Sequence, residues 1–254
     1  MTAWLIARNT FREAMRDRVV AGMVAAGLAL FAVTLMASPL ALGEGGRLLV
    51  DLGLSGISVL GLLVILLTGT SLVAKELERR TIYNLLSRPI RRSAYLVGKW
   101  AGLSATLWTV AVLLGLALCG LLLLRGGGHS GPAVLEAVYL AGLELTVVTA
   151  LAVMFSAIST PVLSALYTLG FFLVGQWSYD LRLFAAKFPP ELGTVLRVVA
   201  NLVPNLPLFN MRTLAAAGET TTALHLGLAT VYAAVYAACA LCLAAAAFES
   251  KDFK

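Results

Sequence analysis

Two pairs of residues in this 254-residue chain have types and spacings that suit chemistry. Residues 53–56 have the sequence Gly-Leu-Ser-Gly, in which Ser55 could act as a nucleophile. His225 would be its base if the fold brought the two side chains within hydrogen-bonding distance. Cys239 and Cys242 stand at i and i+3, a spacing that suits a metal or a redox pair on one helix.

Each pair also has a simpler interpretation. A Gly-x-Ser-Gly match of the rhomboid type is frequent in Gly/Leu/Ser-rich sequence, and Ser55 lies in an early apolar run, so an intramembrane serine protease is the weakest alternative. The two cysteines have no His or acidic residue nearby, so we expect them, with Cys119, to be buried small hydrophobic residues. His129 lies in a glycine-rich turn without clustered partners, and we expect no metal site.

Glu144 is a single acidic residue about ten residues into a long apolar run. A charge at mid-bilayer costs about 2.5–3.5 kcal/mol on insertion scales, so this side chain should face protein or water. We favour a hydrogen bond between helices as its role. Ion coupling in a secondary transporter is the alternative, and a membrane scaffold without transport is a third class.

A charged segment from Lys75 to Lys99 interrupts the apolar sequence and holds seven of the 19 Lys and Arg residues. Its apolar residues Ile82, Leu85 and Leu86 share one helical face, opposite a polar face. Pro89 cannot extend that helix. The pattern predicts a short amphipathic helix that docks a soluble partner, or else a basic loop that only sets topology.

The composition requires an integral membrane protein. The chain is 60% hydrophobic and 13% charged, with a mean hydropathy of +0.91. A soluble domain of this length could not bury so much apolar surface. The net charge of +6 is explained by Lys and Arg retained on the cytoplasmic side, so we expect membrane lipid and no nucleic acid among the partners.

The apolar runs predict an all-α fold with a single transmembrane domain over residues 1–254 and six spans of about 20 residues each. The fourth and fifth spans are separated only by Ser159, Thr160 and Pro161, so they form a helical hairpin. Short interfacial helices are expected over 3–17 and within the external region 180–216. The six spans are predicted near 19–40, 54–74, 99–124, 134–158, 161–179 and 222–248.

The distribution of basic residues predicts the orientation. With six spans, 13 of the 19 Lys and Arg residues lie on the side of both termini and six on the other. The charge rule therefore predicts that both termini and the segment 75–99 are cytoplasmic.

The order of these features resembles the permease subunits of type-2 (ABC-2) ABC exporters, particularly the NosY-like branch. Residues 6–19 are similar to the family's cytoplasmic N-terminal helix along the membrane. Residues 74–100, with their Thr-Ile-Tyr-x-Leu-Leu-Ser core, Pro and Gly-Lys, resemble its coupling helix. Residues 201–212 are similar to a Pro-Asn-Leu and Phe-Asn element before the last span, and 142–165 add a weaker match.

The resemblance implies a subunit of an ATP-driven exporter in the bacterial cytoplasmic (inner) membrane. It implies a homodimer that docks two cytoplasmic ATPase subunits on the coupling segment 75–92. ATP and Mg would be bound by those partners, because this chain has no Gly-x-x-x-x-Gly-Lys-Ser/Thr loop, and no cofactor is expected on the chain itself. The expected docking residues are Glu76, Glu78, Arg79, Arg80, Thr81, Ile82, Leu85, Leu86, Pro89 and Arg91. Those expected on the N-terminal interfacial helix are Phe11, Arg12 and Glu13.

The external region is expected to carry a gate, a lipid-contact collar or a seat for a periplasmic partner. Pro204, Asn205, Phe209 and Asn210 are its candidate residues. A structural cap that keeps the dimer closed outside is the interpretation we favour.

Overall fold

The computed structural model describes residues 2–38, 44–70, 92–125, 130–185, 187 and 189–249, and all regular structure in these residues is helical. The helix α3 continues as a π-helical turn over Ile65–Gly69, and a 3₁₀ turn covers Leu206–Phe209. The α-helices in the described part of the chain are α1 (Thr2–Met15), α2 (Arg18–Ala37), α3 (Gly45–Val64), α4 (Arg92–Leu124), α5 (Gly131–Ile158), α6 (Pro161–Gln176), α7 (Ser178–Ala185), α8 (Pro190–Leu202), α9 (Arg212–Ala217) and α10 (Ala223–Glu249).

Five of these helices are long and apolar enough to cross a membrane: α2, α3 with its π turn, α4, α5 and α10. The predicted fifth span, 161–179, is the 16-residue helix α6, which ends at Gln176. The all-helical class is confirmed, whereas the count of six spans is not.

Two predicted spans start later than the helices that contain them. Helix α3 begins at Gly45 rather than 54, and α4 begins at Arg92 rather than 99. Hydropathy leaves the polar first turns of both helices out of the predicted spans. A helix nevertheless tolerates charged residues where their side chains reach water. At the start of α3, Glu44 and Arg47 form an exposed ion pair with a distance of 3.0 Å.

Helix α5 is the centre of the bundle. Its sequence is apolar on every side, and 78% of its most apolar stretch is buried, more than in any other candidate span. A helix that is apolar all round is stable when other helices surround it. Here α3, α4, α6 and α10 pack around α5.

The hydrogen bonds and the core define two ends of the bundle. At the Thr70 end, Ser156 near the end of α5 donates to the Thr70 carbonyl at 2.8 Å. The same end holds the start of α4 and the end of α10, because Leu96 of α4 and Ala244 of α10 share a core cluster with Val153 of α5. The opposite end, where α3 begins, is called the Gly45 end.

Helix α1 packs against the first turns of α4. A Cβ atom at Gly102 would lie 2.5 Å from the carbonyl oxygen of Ala7, and one at Gly98 would lie 2.8 Å from the Cβ of Ile6. The glycines are spaced i, i+4, so together they form a flat site on which α1 rests. Helix α1 therefore lies at the Thr70 end.

The cysteine prediction is wrong for α10. Cys239 and Cys242 are exposed on the outer surface of that helix, and Cys119 is half-buried. The side of α10 that faces the core is instead lined by alanines such as Ala229, Ala233 and Ala237. Their i, i+4 spacing allows close helix contact and turns both cysteines outward.

Candidate functional site

The most polar buried site in the described residues is centred on Glu144 of α5. Its carboxylate is 3% exposed and accepts hydrogen bonds at both oxygens. Ser58 of α3 donates to Oε2 at 3.1 Å, and Gln176 donates to Oε1 from the last residue of α6. Because an ionised carboxylate is acceptor-only, these two donors suit it.

The site extends along α3 to an arginine. Arg212, the first residue of α9, donates from Nη1 to the hydroxyl of Ser55 at 3.1 Å. Ser55 and Ser58 are three residues apart and therefore lie on one side of α3. The positive charge of Arg212 also acts electrostatically on Glu144. We call Ser55, Ser58, Glu144, Gln176 and Arg212 the polar network; it joins α3, α5, α6 and α9.

The segment 203–210 packs beside this network. Leu206 is fully buried and Phe209 is 2% exposed, and the Phe209 ring lies 6.1 Å from that of Tyr232 on α10. A Cβ at Gly175 would lie 3.0 Å from both the Leu206 side chain and the Pro204 carbonyl. The irregular segment is thus enclosed by helices, which is where non-helical backbone is tolerated at membrane depth.

Polar contacts fix the segment on two sides. The Asn205 backbone N–H donates to the Tyr232 hydroxyl at 2.8 Å, and its side-chain oxygen accepts from Ser178 at 3.0 Å. Asn210 accepts a 3.4 Å bond from the backbone N–H of Arg212. Of the four residues proposed for the external region, Pro204 and Phe209 are therefore buried, Asn205 is half-buried and Asn210 is exposed.

At the Thr70 end, the expected docking residues Glu76, Glu78, Arg79, Arg80, Thr81, Ile82, Leu85, Leu86, Pro89 and Arg91 lie outside the described residues. The flanking helices are described. The π turn Ile65–Gly69 precedes Thr70, and its Gly69 faces Leu103 of α4 closely enough that a Cβ would lie 2.8 Å from that side chain. Lys99, which the sequence grouped with the charged segment, is buried on α4, with its ammonium 5.8 Å from the centre of the Tyr95 ring.

The three residues predicted on the N-terminal helix have different environments. Phe11 is half-buried, while Arg12 and Glu13 are exposed. The helix is buried instead through Thr10, which lies beside Gly102 of α4, and through Ala14.

Ser55 and His225 do not form a nucleophile–base pair. Ser55 accepts the hydrogen bond of Arg212, and the Nε2 atom of His225 lies 3.0 Å from the Leu208 carbonyl. Each side chain therefore has its own partner, and no hydrogen bond joins the two. The geometry of these described residues gives no nucleophilic activation of Ser55.

Sequence analysis missed Ser58, Gln176, Arg212 and Ser156. Gln176 has a signal, since it is a lone amide at the end of an apolar run. Arg212 lies in the region 180–216 that was predicted to be external, and its contact with α3 spans 157 positions of sequence. Hydrogen bonds between such distant residues are decided by packing and leave no local pattern.

The polar network binds helices together rather than performing a reaction. It holds one acidic group, one basic group and three neutral hydrogen-bonding side chains, all used between elements of the chain. A network of this type can fix the position of α9 and the segment 203–210 against the bundle, because buried polar groups with satisfied hydrogen bonds make the packing rigid and specific.

Comparison with protein families gives a match to the ABC-2 family transporter proteins over residues 4–253. A comparison with curated proteins gave no match. Because the family match covers nearly the whole sequence, together with five candidate membrane spans, the chain belongs to the ABC-2 family of transporter membrane proteins.

Proposed function

We propose that this protein is the transmembrane subunit of an ATP-driven ABC exporter, of the NosY-like branch. It pairs with a second copy of itself, and each copy docks one cytoplasmic ATPase subunit through residues 75–92. The observation that carries the proposal is the family match over 4–253. Membership of this family implies a multi-pass subunit without its own chemistry and a separate ATPase.

The arrangement of the Thr70 end supports the docking assignment. Residue 70 ends the described part of α3 and residue 92 begins α4, and both positions lie at this end. The chain therefore leaves and rejoins the bundle on one side. Residues 71–91, which include most of the charged segment, connect α3 and α4 there. A force on this segment acts directly on α3 and α4.

The same end offers a route for that force into the bundle. Ser156 links Thr70 to α5, and α1 is packed on the first turns of α4. Further along α3, Ser58 and Ser55 connect to Glu144 and Arg212. Tilting of α3 would therefore shift the partners of the segment 203–210, which we propose as the outer gate.

We propose a bacterial cytoplasmic membrane location with both termini cytoplasmic. Helix α2 begins, and α10 ends, at the Thr70 end, and the basic segment 75–99 belongs to that end too. The excess of Lys and Arg on this side is what the charge rule requires of a cytoplasmic face. The 203–210 region then lies on the periplasmic side of the bundle, where its exposed Asn210 is the position at which a periplasmic partner would bind.

The decisive experiment is affinity purification of the tagged full-length chain in mild detergent, with identification of copurifying proteins and an assay of ATP hydrolysis. We expect a stoichiometric ATPase. Leu85→Asp, or Glu78→Arg with Arg79→Glu, should abolish its binding while the permease remains folded, because these changes remove apolar contacts or reverse charges on the docking face.

The exposed pair at the opposite end provides a matched control. Glu44→Arg with Arg47→Glu reverses the same two charges at the Gly45 end, so it should leave ATPase binding unchanged. Unchanged binding in the Leu85 and Glu78/Arg79 variants would contradict the docking assignment.

An ion-coupled secondary transporter is the second candidate, and Glu144 is the observation that favours it. It would need no ATPase. Two results would establish this function. The permease would purify without an ATPase, and an ion gradient would drive substrate movement that is lost in Glu144→Gln. The enclosure of Glu144 by two donors supports a structural role instead.

A further inference from the structure

The exposed side of α1 carries arginines at a regular spacing. Arg8 and Arg12 are one turn apart on α1, about 6 Å along the helix axis, and Arg16 follows in the turn directly after the helix ends at Met15. All three are exposed, and none pairs with an acidic side chain among the residues that the structure describes. Positive charge on this side of α1 is thus available to a partner.

An apolar flank lies beside the arginines. Trp4, Phe11 and Met15 are spaced i+7 and i+4, so they share one side of α1. Trp4 is 74% exposed, and Leu5 and Met15 are exposed too. A soluble surface gains nothing from an exposed Trp, whereas the ring is favoured at a membrane–water interface.

Two independent contacts fix α1 against the bundle at the Thr70 end. It is joined to the first span by a turn in which Asp17 accepts a 2.9 Å bond from the backbone N–H of Val19. It also rests on Gly98 and Gly102, at the start of α4. The depth of α1 is therefore set by the start of α2 and by the second and third turns of α4.

We call Arg8, Arg12 and Arg16 the arginine stripe. We propose that this stripe, together with Trp4 beside it, is a binding surface for anionic phospholipid headgroups. Guanidinium groups bind phosphate with two parallel hydrogen bonds, and the long side chains can reach headgroups while Trp4 and Met15 enter the acyl boundary. This surface needs no ATPase, so the proposal stands apart from the docking assignment.

The test uses the full-length protein reconstituted in nanodiscs of phosphatidylcholine with a minor fraction of phosphatidylglycerol. After extraction, the phosphatidylglycerol retained with the protein is measured against its share of the bulk lipid. We expect enrichment that weakens as sodium chloride is raised, because salt screens exposed charges. Arg8→Gln, Arg12→Gln and Arg16→Gln combined should abolish the enrichment, since each arginine near an anionic surface contributes roughly fivefold in affinity, and the three together about 100-fold.

Two further variants make the outcome specific. The triple Lys variant at the same positions should keep the enrichment, since it keeps the charge. A control with Arg47→Gln, Arg125→Gln and Arg197→Gln removes three exposed arginines from other parts of the chain and should leave the enrichment unchanged.

Three results would overturn the proposal. One is a wild-type protein without enrichment, and another is equal loss in both triple Gln variants, which would reflect net charge alone. The third is an α1 triple variant that keeps its phosphatidylglycerol but loses a copurifying ATPase, which would make the stripe a protein interface. Gel filtration of each variant checks that the fold is retained.

Discussion

Gln176 donates a hydrogen bond to Glu144, so α6 ends beside the middle of α5. From Glu144 to the end of α5 is about 21 Å, and the 16 residues of α6 span about 24 Å. Both lengths are shorter than the hydrocarbon core, which is about 30 Å thick. Helix α6 therefore stops within the membrane depth, and the buried segment around Leu206 and Phe209 continues beside its end.

Glu144→Gln should leave the protein folded and competent to assemble, with a lower melting temperature. The new glutamine keeps one acceptor oxygen for one of the two donors. Its amide N–H group faces the second donor, and the lost hydrogen bond costs about 1–3 kcal/mol. Glu144→Ala should cost more, because both donors lose their partner. Thermal unfolding in detergent measures the difference, with the exposed Glu219→Gln as control. Abolished transport with intact assembly would show instead that the charge itself is used.

Arg212→Gln and Glu144→Gln should be less destabilising together than the sum of the two single changes. Arg212→Gln leaves the buried Glu144 without the opposite charge, and Glu144→Gln leaves the half-buried Arg212 without it, whereas the double change removes both charges. A double-mutant cycle on the free energy of unfolding tests this, since groups of one network are not additive. Additive effects would mean that the two side chains are energetically independent.

Gly102→Ala should detach α1 from α4. A Cβ there would lie 2.5 Å from a backbone carbonyl of α1, which cannot move without moving the helix. Gly120→Ala, on the same helix with nothing within 4 Å, should be neutral or stabilising, since Ala is favoured in helices by about 1 kcal/mol. Protease accessibility of the N-terminal region reports detachment. Equal protection in the two variants would contradict the contact.

Leu206→Ala should destabilise the protein by roughly 2–5 kcal/mol, the range for a buried leucine that leaves a cavity. Leu206 is fully buried, whereas Leu202, four residues earlier, is 66% exposed, so Leu202→Ala should have a small effect. Both changes remove the same side-chain atoms, so the difference in melting temperature reports how much more tightly Leu206 is enclosed than Leu202. If both variants melt alike, the segment 203–210 is not packed within the bundle.

Ser156→Ala should reduce the coupling of substrate movement to ATP hydrolysis more than it reduces the stability of the fold. The lost hydrogen bond to Thr70 contributes about 1 kcal/mol, so the fold should persist. Thr149→Ala on the same helix removes only a bond to its own turn, and is the matched control. We expect substrate movement per ATP hydrolysed to fall in the Ser156 variant alone, measured in proteoliposomes with the partner ATPase. A fall of equal size in both variants would remove Ser156 from the proposed route.

The sequence by itself determined the features that depend on local composition and periodicity. Apolar runs of sufficient length gave α2, α5 and α10, and the Ser-Thr-Pro turn at 159–161 separated α5 from α6. Glu144 was recognisable because an acid within an apolar run is costly wherever it packs. Gly98 and Gly102 have the i, i+4 spacing of close-packed helices, although that spacing by itself does not identify the helix they contact.

Only the tertiary structure decided which distant residues meet. Ser58 and Glu144 are 86 positions apart, and Ser55 and Arg212 are 157 apart, so no local pattern links them. The depth at which α6 ends follows from its contact with α5, and the outward position of Cys239 follows from the alanine face of α10. Hydropathy measures how well a segment tolerates lipid. It does not measure which of its sides faces protein, because that choice is made by shape and hydrogen-bonding partners after the helices assemble.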